Sequence, residues 1–300
     1  MRAASAAVHL DVPYPGATGP RQALDLFLPA SAGPNSPLLV FIHGGAWRSE
    51  SKGDFVDSLM PALVRHTNLP TACLEYRLAP ADPHPAQIKD VVAGLSLLTG
   101  PLLSLEQGAA KWHRERLWVV GHSAGAFMAA SLVLRPPPSS TPPSFSVPPA
   151  VRHAVRGIIC VDGIYDLPAL LAEYPSYDSF VHEAFGSDPR VLAHESPARW
   201  SLYDKGDGDD GRRRDLRVVV LHSRNDELLS LRQPRLFLRR MKQLFGGGDD
   251  AADLADEDVG DEAERDLPAN VACDFAALKG GHYEVVKGEE LARALGSLLQ

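Results

Sequence analysis

The chain has 300 residues, of which 45% are hydrophobic and 23% are charged, so it can bury a sizeable core as ordinary globular proteins do. No apolar run approaches the roughly 20 residues of a membrane-spanning helix, and the first residues lack the apolar segment of a secretory signal. The net charge of −8 arises mainly in residues 246–266, which hold ten acidic residues and one arginine, so the rest of the chain offers no basic surface for nucleic acid.

Apolar runs typical of buried strands alternate with helical patterns along the chain. Strands are predicted at Ala23–Leu28, Leu38–Ile42, Ala72–Tyr76, Leu117–Val120, Ile158–Val161, Val218–Leu221 and Val271–Ala276. Helices are predicted at Pro85–Leu98, Ala124–Leu134 and Leu231–Phe245. This alternation predicts an α/β fold with a mostly parallel central sheet that helices cover on both faces. Residues 166–203 interrupt the alternation and are expected to form a small helical cap.

We expect a single domain over residues 1–300. Three low-complexity segments, at about 136–149, 205–214 and 246–266, are rich in proline, glycine or charge and are predicted to be surface inserts. The three cysteines lie in strand-like segments at Cys73, Cys160 and Cys273. Their odd number and wide spacing indicate buried hydrophobic residues in a reducing cytoplasm, with no disulfide framework and no metal site.

The pentapeptide GHSAG, at Gly121–Gly125, follows one predicted strand and precedes the most apolar helical segment. It matches Gly-x-Ser-x-Gly, in which a serine occupies a sharp strand-to-helix turn and projects above the sheet. The two glycines remove side chains that would clash with the neighbouring strand and helix. Ser123 is therefore the predicted nucleophile, at a helix N-terminus whose dipole favours developing negative charge.

A serine hydroxyl needs a base to activate it, and the base needs a group that orients it. Asp226 and His282 each lie just past a predicted strand, at the sheet edge where open α/β proteins meet their ligands. The chain order serine, acid, histidine predicts Asp226 as the acid and His282 as the base.

Other residues compete for these roles. Asp162 also follows a predicted strand and is the main rival acid, whereas Glu227 would need a shifted backbone to replace Asp226. His122 and His222 lie at strand ends too, but the first is the variable position of the pentapeptide and the second precedes the acid loop.

The segment His43-Gly44-Gly45-Ala46-Trp47 follows the strand Leu38–Ile42 and fits a loop that donates backbone hydrogen bonds to an oxyanion. The glycines let the backbone present its N–H groups without a Cβ in the way. Ala124, the residue after the nucleophile, supplies another donor. We expect His43 to anchor the loop, and Trp47 either to wedge it from below or to form a wall of the substrate pocket.

Several of these segments together resemble the fungal kynurenine formamidases, a family with the α/β-hydrolase fold: HGGAW, EYRLAP, GHSAG, VDGIYDL, EYPSYDSFV, SRNDELL and GGHYEV. The resemblance runs from about Phe41 to Val286, interrupted by the low-complexity segments. Tryptophan in the HGG-x-W motif points to this family, because hormone-sensitive-lipase-like esterases more often have a third glycine there.

The resemblance implies hydrolysis of N-formyl-L-kynurenine to L-kynurenine and formate, in tryptophan breakdown toward NAD. It implies a cytoplasmic enzyme without metal or cofactor, and it allows a homodimer. By position it implies the triad Ser123, Asp226 and His282, with oxyanion donors at Gly44, Gly45 and Ala124. Aromatic residues of the cap are candidates either for lining a pocket for the aryl ring or for packing within the cap: Tyr165, Tyr174, Tyr177 and Phe180.

The residues leave two other functions open. A general carboxylesterase of the hormone-sensitive-lipase-like type would use the same pentapeptide and triad. A non-catalytic binding protein with this fold would usually lack one member of the triad, and all three candidates are present here.

Overall fold

The computed structural model describes residues 7–101, 111–138, 145–203, 215–246 and 259–299. Within these ranges, the centre of the molecule is an eight-stranded sheet, and two further short strands form a separate pair. The strands are β1 Ala7–Pro13, β2 Ala23–Leu28, β3 Leu38–Ile42, β4 Thr71–Leu74, β5 Leu117–His122, β6 Leu134–Arg135, β7 Val155–Val161, β8 Ser201–Leu202, β9 Arg217–Leu221 and β10 Val271–Asp274.

The sheet has the strand order β1-β2-β4-β3-β5-β7-β9-β10. Strand β2 pairs in antiparallel fashion with β1 and with β4. The remaining six strands run parallel to one another, in the sheet order β4, β3, β5, β7, β9 and β10. The carboxyl ends of these six strands therefore lie at one edge of the sheet. The predicted α/β-hydrolase architecture, with a mostly parallel sheet, is confirmed.

Ten α-helices lie within the described ranges: α1 Leu59–Thr67, α2 Ala86–Thr99, α3 Ala124–Val133, α4 Pro149–Ala154, α5 Leu167–Glu173, α6 Asp178–Phe185, α7 Pro189–His194, α8 Arg232–Gly246, α9 Glu284–Lys287 and α10 Glu290–Leu298. Helices α5, α6 and α7 form the predicted cap, which follows β7. Among the described residues, no helix has both the length and the apolar character needed to cross a membrane.

The core consists of two apolar layers, one on each face of the sheet. The alternation of side chains in β3 shows this, because Val40 belongs to the apolar cluster that includes residues of α2, α3 and α8, whereas Phe41 belongs to the cluster that includes residues of α1 and α10. Every residue of β3 is buried, as expected for a strand that is covered on both faces. The layers hold the sheet rigid beneath the loops that leave its carboxyl edge.

Several sequence predictions need correction. The edge strand β1 and the helices α1 and α10 were not predicted, and Pro149 begins α4 although it was assigned to a proline-rich loop. The acidic segment 246–266 is not wholly a surface loop, since Val259 and Ala263 are buried and a short 3-10 helix spans Asp261–Glu264. The other parts of the three predicted inserts, residues 139–144, 204–214 and 247–258, lie outside the described residues.

Candidate active site

The site lies where the strand order changes direction. From β3 the chain moves to one side to form β4 and later returns to form β5 on the other side of β3. The loops that follow β3 and β5 therefore begin at neighbouring points, with Ile42 paired to Gly121 in the register of the two strands. Ligands of open α/β sheets bind at such a switch point. This topology brings the HGGAW loop beside the GHSAG turn.

Ser123 occupies the sharp turn between β5 and α3, with φ 53° and ψ −118°. Its backbone N–H donates to the Val161 carbonyl at 2.9 Å, which fixes the turn to the neighbouring strand. A Cβ at Gly121 would lie 2.2 Å from the Gly125 carbonyl oxygen, and a Cβ at Gly125 would lie 2.2 Å from that of Ile42. Both glycines are therefore required for this strained serine conformation.

The HGGAW loop lies directly against the GHSAG turn that carries Ser123. A Cβ on Gly44 would lie 3.0 Å from the Ser123 Cβ and 2.9 Å from Nδ1 of His122. Gly45 has φ 87°, and a Cβ there would meet the Ser49 carbonyl oxygen at 2.1 Å. Ala124 is the first residue of α3, so its N–H has no acceptor within the helix. Gly44 and Ala124 thus flank Ser123, and Gly45 makes the turn that holds the loop there.

His43 anchors this loop from below, as a fully buried residue. Its ring stacks on Tyr76 at 4.2 Å, and its Nε2 lies 3.4 Å from Oε1 of Glu75. The Tyr76 hydroxyl donates to the carbonyl oxygens of His43 and Gly44. Burial acts to raise the pKa of Glu75, but hydrogen bonding and charge from His43 outweigh it and lower that pKa. The ring stacking and these hydrogen bonds therefore hold the loop.

His282 and Asp226 are joined by a short hydrogen bond, with 2.7 Å between Nδ1 and Oδ2. The other oxygen of Asp226 accepts the backbone N–H groups of Leu228 and Leu229, at 2.8 and 2.9 Å. Burial acts to raise the pKa of Asp226, but the hydrogen bond and charge of His282 and these backbone donors outweigh it and lower that pKa. An ionised Asp226 must accept the Nδ1 proton, which leaves the lone pair of His282 on Nε2.

Two neighbours hold the backbone of His282. Its N–H donates to Oε2 of Glu227 at 2.9 Å, and its carbonyl accepts from Nε2 of His122 at 2.9 Å. Burial lowers the pKa of His122 well below its usual value, and the charge of the nearby His282 adds to this effect. Glu227 and His122, the two weak rivals for catalytic roles, therefore contact the backbone of His282 and fix its position.

Asp162, the main rival acid, is fully buried and follows β7 with φ 44°. One oxygen accepts the Ser223 N–H at 2.7 Å, and the other has no hydrogen-bond partner among the described residues. Burial raises the pKa of Asp162 to about 8, and the negative charge of Asp226 contributes to the increase. Asp162 therefore carries its proton at neutral pH, which favours Asp226 as the ionised partner of the histidine.

The same region contains two groups of side chains with enough nitrogen and oxygen atoms to hold a cation. These are His122 with Asp162 and His282, and Asp162 with His222 and Asp226, the atoms of each group lying within 4.8 Å of one another. His282 and Asp226 already hydrogen-bond to each other. Both groups therefore belong to the hydrogen-bonded cluster around His282 and Asp226.

Ser123 and His282 both line a cavity of about 340 Å³ beneath the cap. Its volume is within the range of about 300–1,000 Å³ that is common for small-molecule sites. Its other walls come from the HGGAW loop, the cap, the acid loop and the residue after the base: Ala46, Arg48, Ser49, Ile164, Ser176, Tyr177, Ser179, Phe180, Leu228, Leu229 and Tyr283. A larger hollow, of about 790 Å³, lies between β10 and α10, but neither Ser123 nor His282 lines it.

The proposed pocket residues separate into two groups. Tyr177 and Phe180 line the cavity. Tyr165 does not, because its ring is fully buried and stacks on Phe237 at 4.4 Å. Trp47 is buried as well and packs edge-on against Phe127, so the structure favours a wedge over a pocket wall. Tyr174 is part of the cap packing, since its ring stacks on Tyr177.

The sequence analysis missed several residues of this cavity. Arg48 and Ser49 follow HGGAW directly, and Tyr283 follows the base, so adjacency to a motif was the available signal. Leu228 and Leu229 donate their backbone N–H groups to Asp226 and also line the cavity. Such residues come together only through the fold, because they belong to separate loops of the sheet edge.

Comparison with known proteins places this geometry in a family. Residues 39–237 match the family model of the alpha/beta hydrolase fold. The chain is 34% identical to the kynurenine formamidase of Eremothecium gossypii over 216 residues, covering 67% of this chain and 77% of the relative. It is 32% identical to that of Meyerozyma guilliermondii over 205 residues (66% and 68%) and 30% identical to that of Saccharomyces cerevisiae over 201 residues (65% and 72%).

Solved structures share the fold at low sequence identity. A truncated carbohydrate esterase from gut microbiota superposes with a TM-score of 0.69 at 15% identity, covering 100% of this chain and 97% of that one. An inhibited esterase B from Lactobacillus rhamnosis gives a TM-score of 0.65 at 15% identity, with 98% and 85% covered. The fold is thus common to many esterases, whereas the sequence matches are more selective, and by them this chain belongs to the kynurenine formamidase family of α/β hydrolases.

Proposed function

We propose that this protein hydrolyses N-formyl-L-kynurenine to L-kynurenine and formate, with Ser123 as nucleophile, His282 as base and Asp226 as its partner. The observation that carries the proposal is the 2.7 Å hydrogen bond from His282 to a buried carboxylate, with His282 and Ser123 on one cavity. The curated relatives bear the name kynurenine formamidase, which supports the choice of substrate. In this proposal the reaction belongs to tryptophan breakdown toward NAD.

The chemistry runs through a formyl-enzyme. The Ser123 oxygen attacks the formyl carbon while Nε2 of His282 takes the hydroxyl proton, and the imidazolium is stabilised by Asp226. His282 then delivers this proton to the arylamine nitrogen as the C–N bond breaks. Water attacks the formyl ester in the same manner, and formate leaves. No step requires a metal or a cofactor.

Negative charge on the carbonyl oxygen is stabilised by backbone N–H groups of the HGGAW loop and of Ala124. Gly44 is in contact distance of Ser123, and Ala124 begins the helix whose N-terminus points at the site. A formyl group is small enough to enter a site in which a Cβ at Gly44 would already clash. In this proposal the reaction takes place in the cytoplasm, and the three unpaired cysteines support that location.

The direct test is turnover of N-formyl-L-kynurenine by the purified chain, compared with turnover of short p-nitrophenyl esters. We expect kcat/KM for the formamide to exceed kcat/KM for the esters by at least about 10-fold, corresponding to about 1.4 kcal/mol of extra transition-state binding. Ser123→Ala should abolish both activities without loss of the fold. Hydrolysis of the esters alone would replace the proposed activity with that of a general carboxylesterase.

A further inference from the structure

The cavity over Ser123 contains one permanently charged side chain among its described lining residues, and that side chain is Arg48. The rest of the lining is hydroxylic, apolar or aromatic, apart from His282. Arg48 retains 39% exposure of its side chain, so its guanidinium is accessible from the solvent side of the cavity. A guanidinium at the wall of a small cavity has the charge and the planar donors to pair with an anionic group of a ligand.

The loop geometry explains why this side chain lies there. Ala46 and Trp47 have φ 51° and 59°, and the N–H groups of Arg48 and Ser49 both donate to the Gly45 carbonyl, at 3.0 and 2.9 Å. This tight turn buries Trp47 in the core and leaves the next residue on the cavity side. The position of Arg48 is thus fixed by the same turn that places Gly44 beside Ser123.

The present partners of Arg48 hold it weakly. Its Nη1 lies 3.3 Å from Oε2 of Glu183, whose side chain is 37% exposed, and its guanidinium lies 5.5 Å from the ring centroid of Phe180. Exposed ion pairs of this kind contribute little to stability, typically about 0–1 kcal/mol. A guanidinium has five N–H donors in a planar fork, so a second carboxylate can bind it in a bidentate manner while Glu183 is retained or released.

We propose that Arg48 binds a carboxylate of the substrate, so that the site selects formamides that carry an acid group at the end remote from the formyl carbon. This inference rests on the proposed function and identifies the residue that holds the amino-acid end of the substrate. The aryl ring then lies beside Tyr177 and Phe180, whose ring centroids are 5.1 Å apart on the cap side of the cavity.

The test is a cycle of two enzymes and two substrates. Wild type and Arg48→Gln are assayed with N-formyl-L-kynurenine and with its carboxamide, in which the acid is neutral. We expect Arg48→Gln to lower kcat/KM for the acid by about 10- to 100-fold, mainly through KM, which is the range for a hydrogen bond to a charged group. The carboxamide should lose less than about 2-fold, and p-nitrophenyl acetate, which lacks the acid, should respond like the carboxamide.

Two control variants separate binding from structure. Arg190→Gln removes an arginine of the cap that is 91% exposed and paired with Asp188, and it should leave all values unchanged. Glu183→Gln removes the competing carboxylate and should leave KM for the acid unchanged or lower it. Equal losses on both substrates in Arg48→Gln, or a rise in KM for Glu183→Gln as large as for Arg48→Gln, would show that Arg48 only positions the cap and would overturn the proposal.

The same assays distinguish a failure of the proposed function from a failure of the Arg48 proposal. If the wild type hydrolyses p-nitrophenyl acetate but neither formamide, the assigned reaction is wrong and the role of Arg48 falls with it. If the wild type hydrolyses both formamides with the same kcat/KM, the reaction stands and only the carboxylate site is overturned.

Discussion

At the scale of single residues, the site depends on two buried carboxyl groups held in different protonation states. Asp226 accepts two backbone N–H groups and the His282 ring, which keep its pKa low against the effect of burial. Asp162 accepts one N–H, and burial together with the charge of Asp226 raises its pKa to about 8. Both aspartates follow strands and lie between Ser123 and His282 in the chain, so the contacts, and not the chain order, distinguish Asp226 from Asp162.

Asp226→Asn tests this assignment. The oxygen of the new amide side chain should keep the two backbone donors, which turns its NH₂ group toward Nδ1 of His282. Nδ1 must then present a lone pair, so the proton moves to Nε2 and His282 can no longer accept one from Ser123. We expect kcat/KM to fall by about 10⁴-fold. Asp162→Asn, the matched control, should lose less than about 10-fold, and equal losses would contradict the assignment.

The raised pKa of Asp162 also predicts a pH dependence of stability. Between its ordinary value of 3.8 and about 8, the folded protein holds a proton that the unfolded chain has lost. The free energy of unfolding should therefore fall as pH rises through this window, by up to about 1.4 kcal/mol per pH unit from this group. Asp162→Asn should remove this slope, so that its stability relative to wild type increases from pH 5 to pH 8 in urea unfolding. Parallel curves would contradict the prediction.

At the scale of elements, the site is made by two adjacent strand-to-loop turns whose glycines allow close backbone approach. The turn after β3 needs φ 87° at Gly45, and the turn after β5 needs φ 53° at Ser123. The two turns touch at Gly44, where a Cβ would lie 3.0 Å from the Ser123 Cβ. Gly44 and Gly45 cannot be replaced by a larger residue without movement, because a Cβ there would meet the Ser49 backbone, His122 or Ser123.

Gly44→Ala should separate the two turns and move one oxyanion donor. We expect kcat to fall by about 10²–10³-fold, the usual effect of losing such a donor, with a smaller change in KM. Gly33→Ala is the matched control, because a Cβ there meets nothing within 4 Å, and its kcat should not change. If Gly44→Ala retains full kcat, the loop does not serve the oxyanion.

The local elements were the part of this fold that the sequence predicted best. The strands Ala23–Leu28 and Leu38–Ile42 have the predicted bounds, and the GHSAG turn has the predicted flanking strand and helix. These elements depend on uninterrupted apolar runs and on glycine, which are visible in sequence. Strand β1 escaped notice because its residues are largely exposed and carry no apolar run.

The cavity walls were harder to predict, because they depend on contacts between distant segments. Tyr165 and Tyr177 have the same chemistry and belong to neighbouring segments, yet one stacks on Phe237 in the core and the other lines the cavity. Nothing in the sequence distinguishes Arg48, because an arginine after a glycine-rich turn is ordinary. Its significance arises only when the cap closes the other side of the cavity.

At the scale of the whole molecule, Trp47 links the HGGAW loop, helix α3 and the cap. Its ring centroid lies 5.3 Å from that of Phe127 in α3 and 5.0 Å from that of Phe185 in α6. The cap is tied on its other side by the Tyr177 hydroxyl, which donates to the Leu228 carbonyl at 2.9 Å. The cap is therefore joined to helix α3, which follows Ser123, and to the loop that carries Asp226.

Trp47→Ala should lower the free energy of unfolding by about 3–5 kcal/mol, as expected for a large buried aromatic residue. It should also lower kcat/KM of the folded protein by at least about 10-fold, because the loop and the cap lose their common support. Trp112→Ala is the matched control, since Trp112 is buried and its indole N–H donates to Leu98 at the end of α2, away from the site. It should lose stability and keep its kcat/KM; the same result for Trp47 would contradict the link.

The catalytic roles of Ser123 and His282 are tested most directly with a fluorophosphonate probe, whose site of reaction is identified by mass spectrometry. An activated Ser123 predicts one adduct per chain, on the peptide that contains Ser123. Labelling should be at least about 10²-fold slower in His282→Gln, because the hydroxyl then lacks its base. An adduct on a different serine, or equal labelling rates in the two proteins, would contradict the catalytic role of Ser123 and His282.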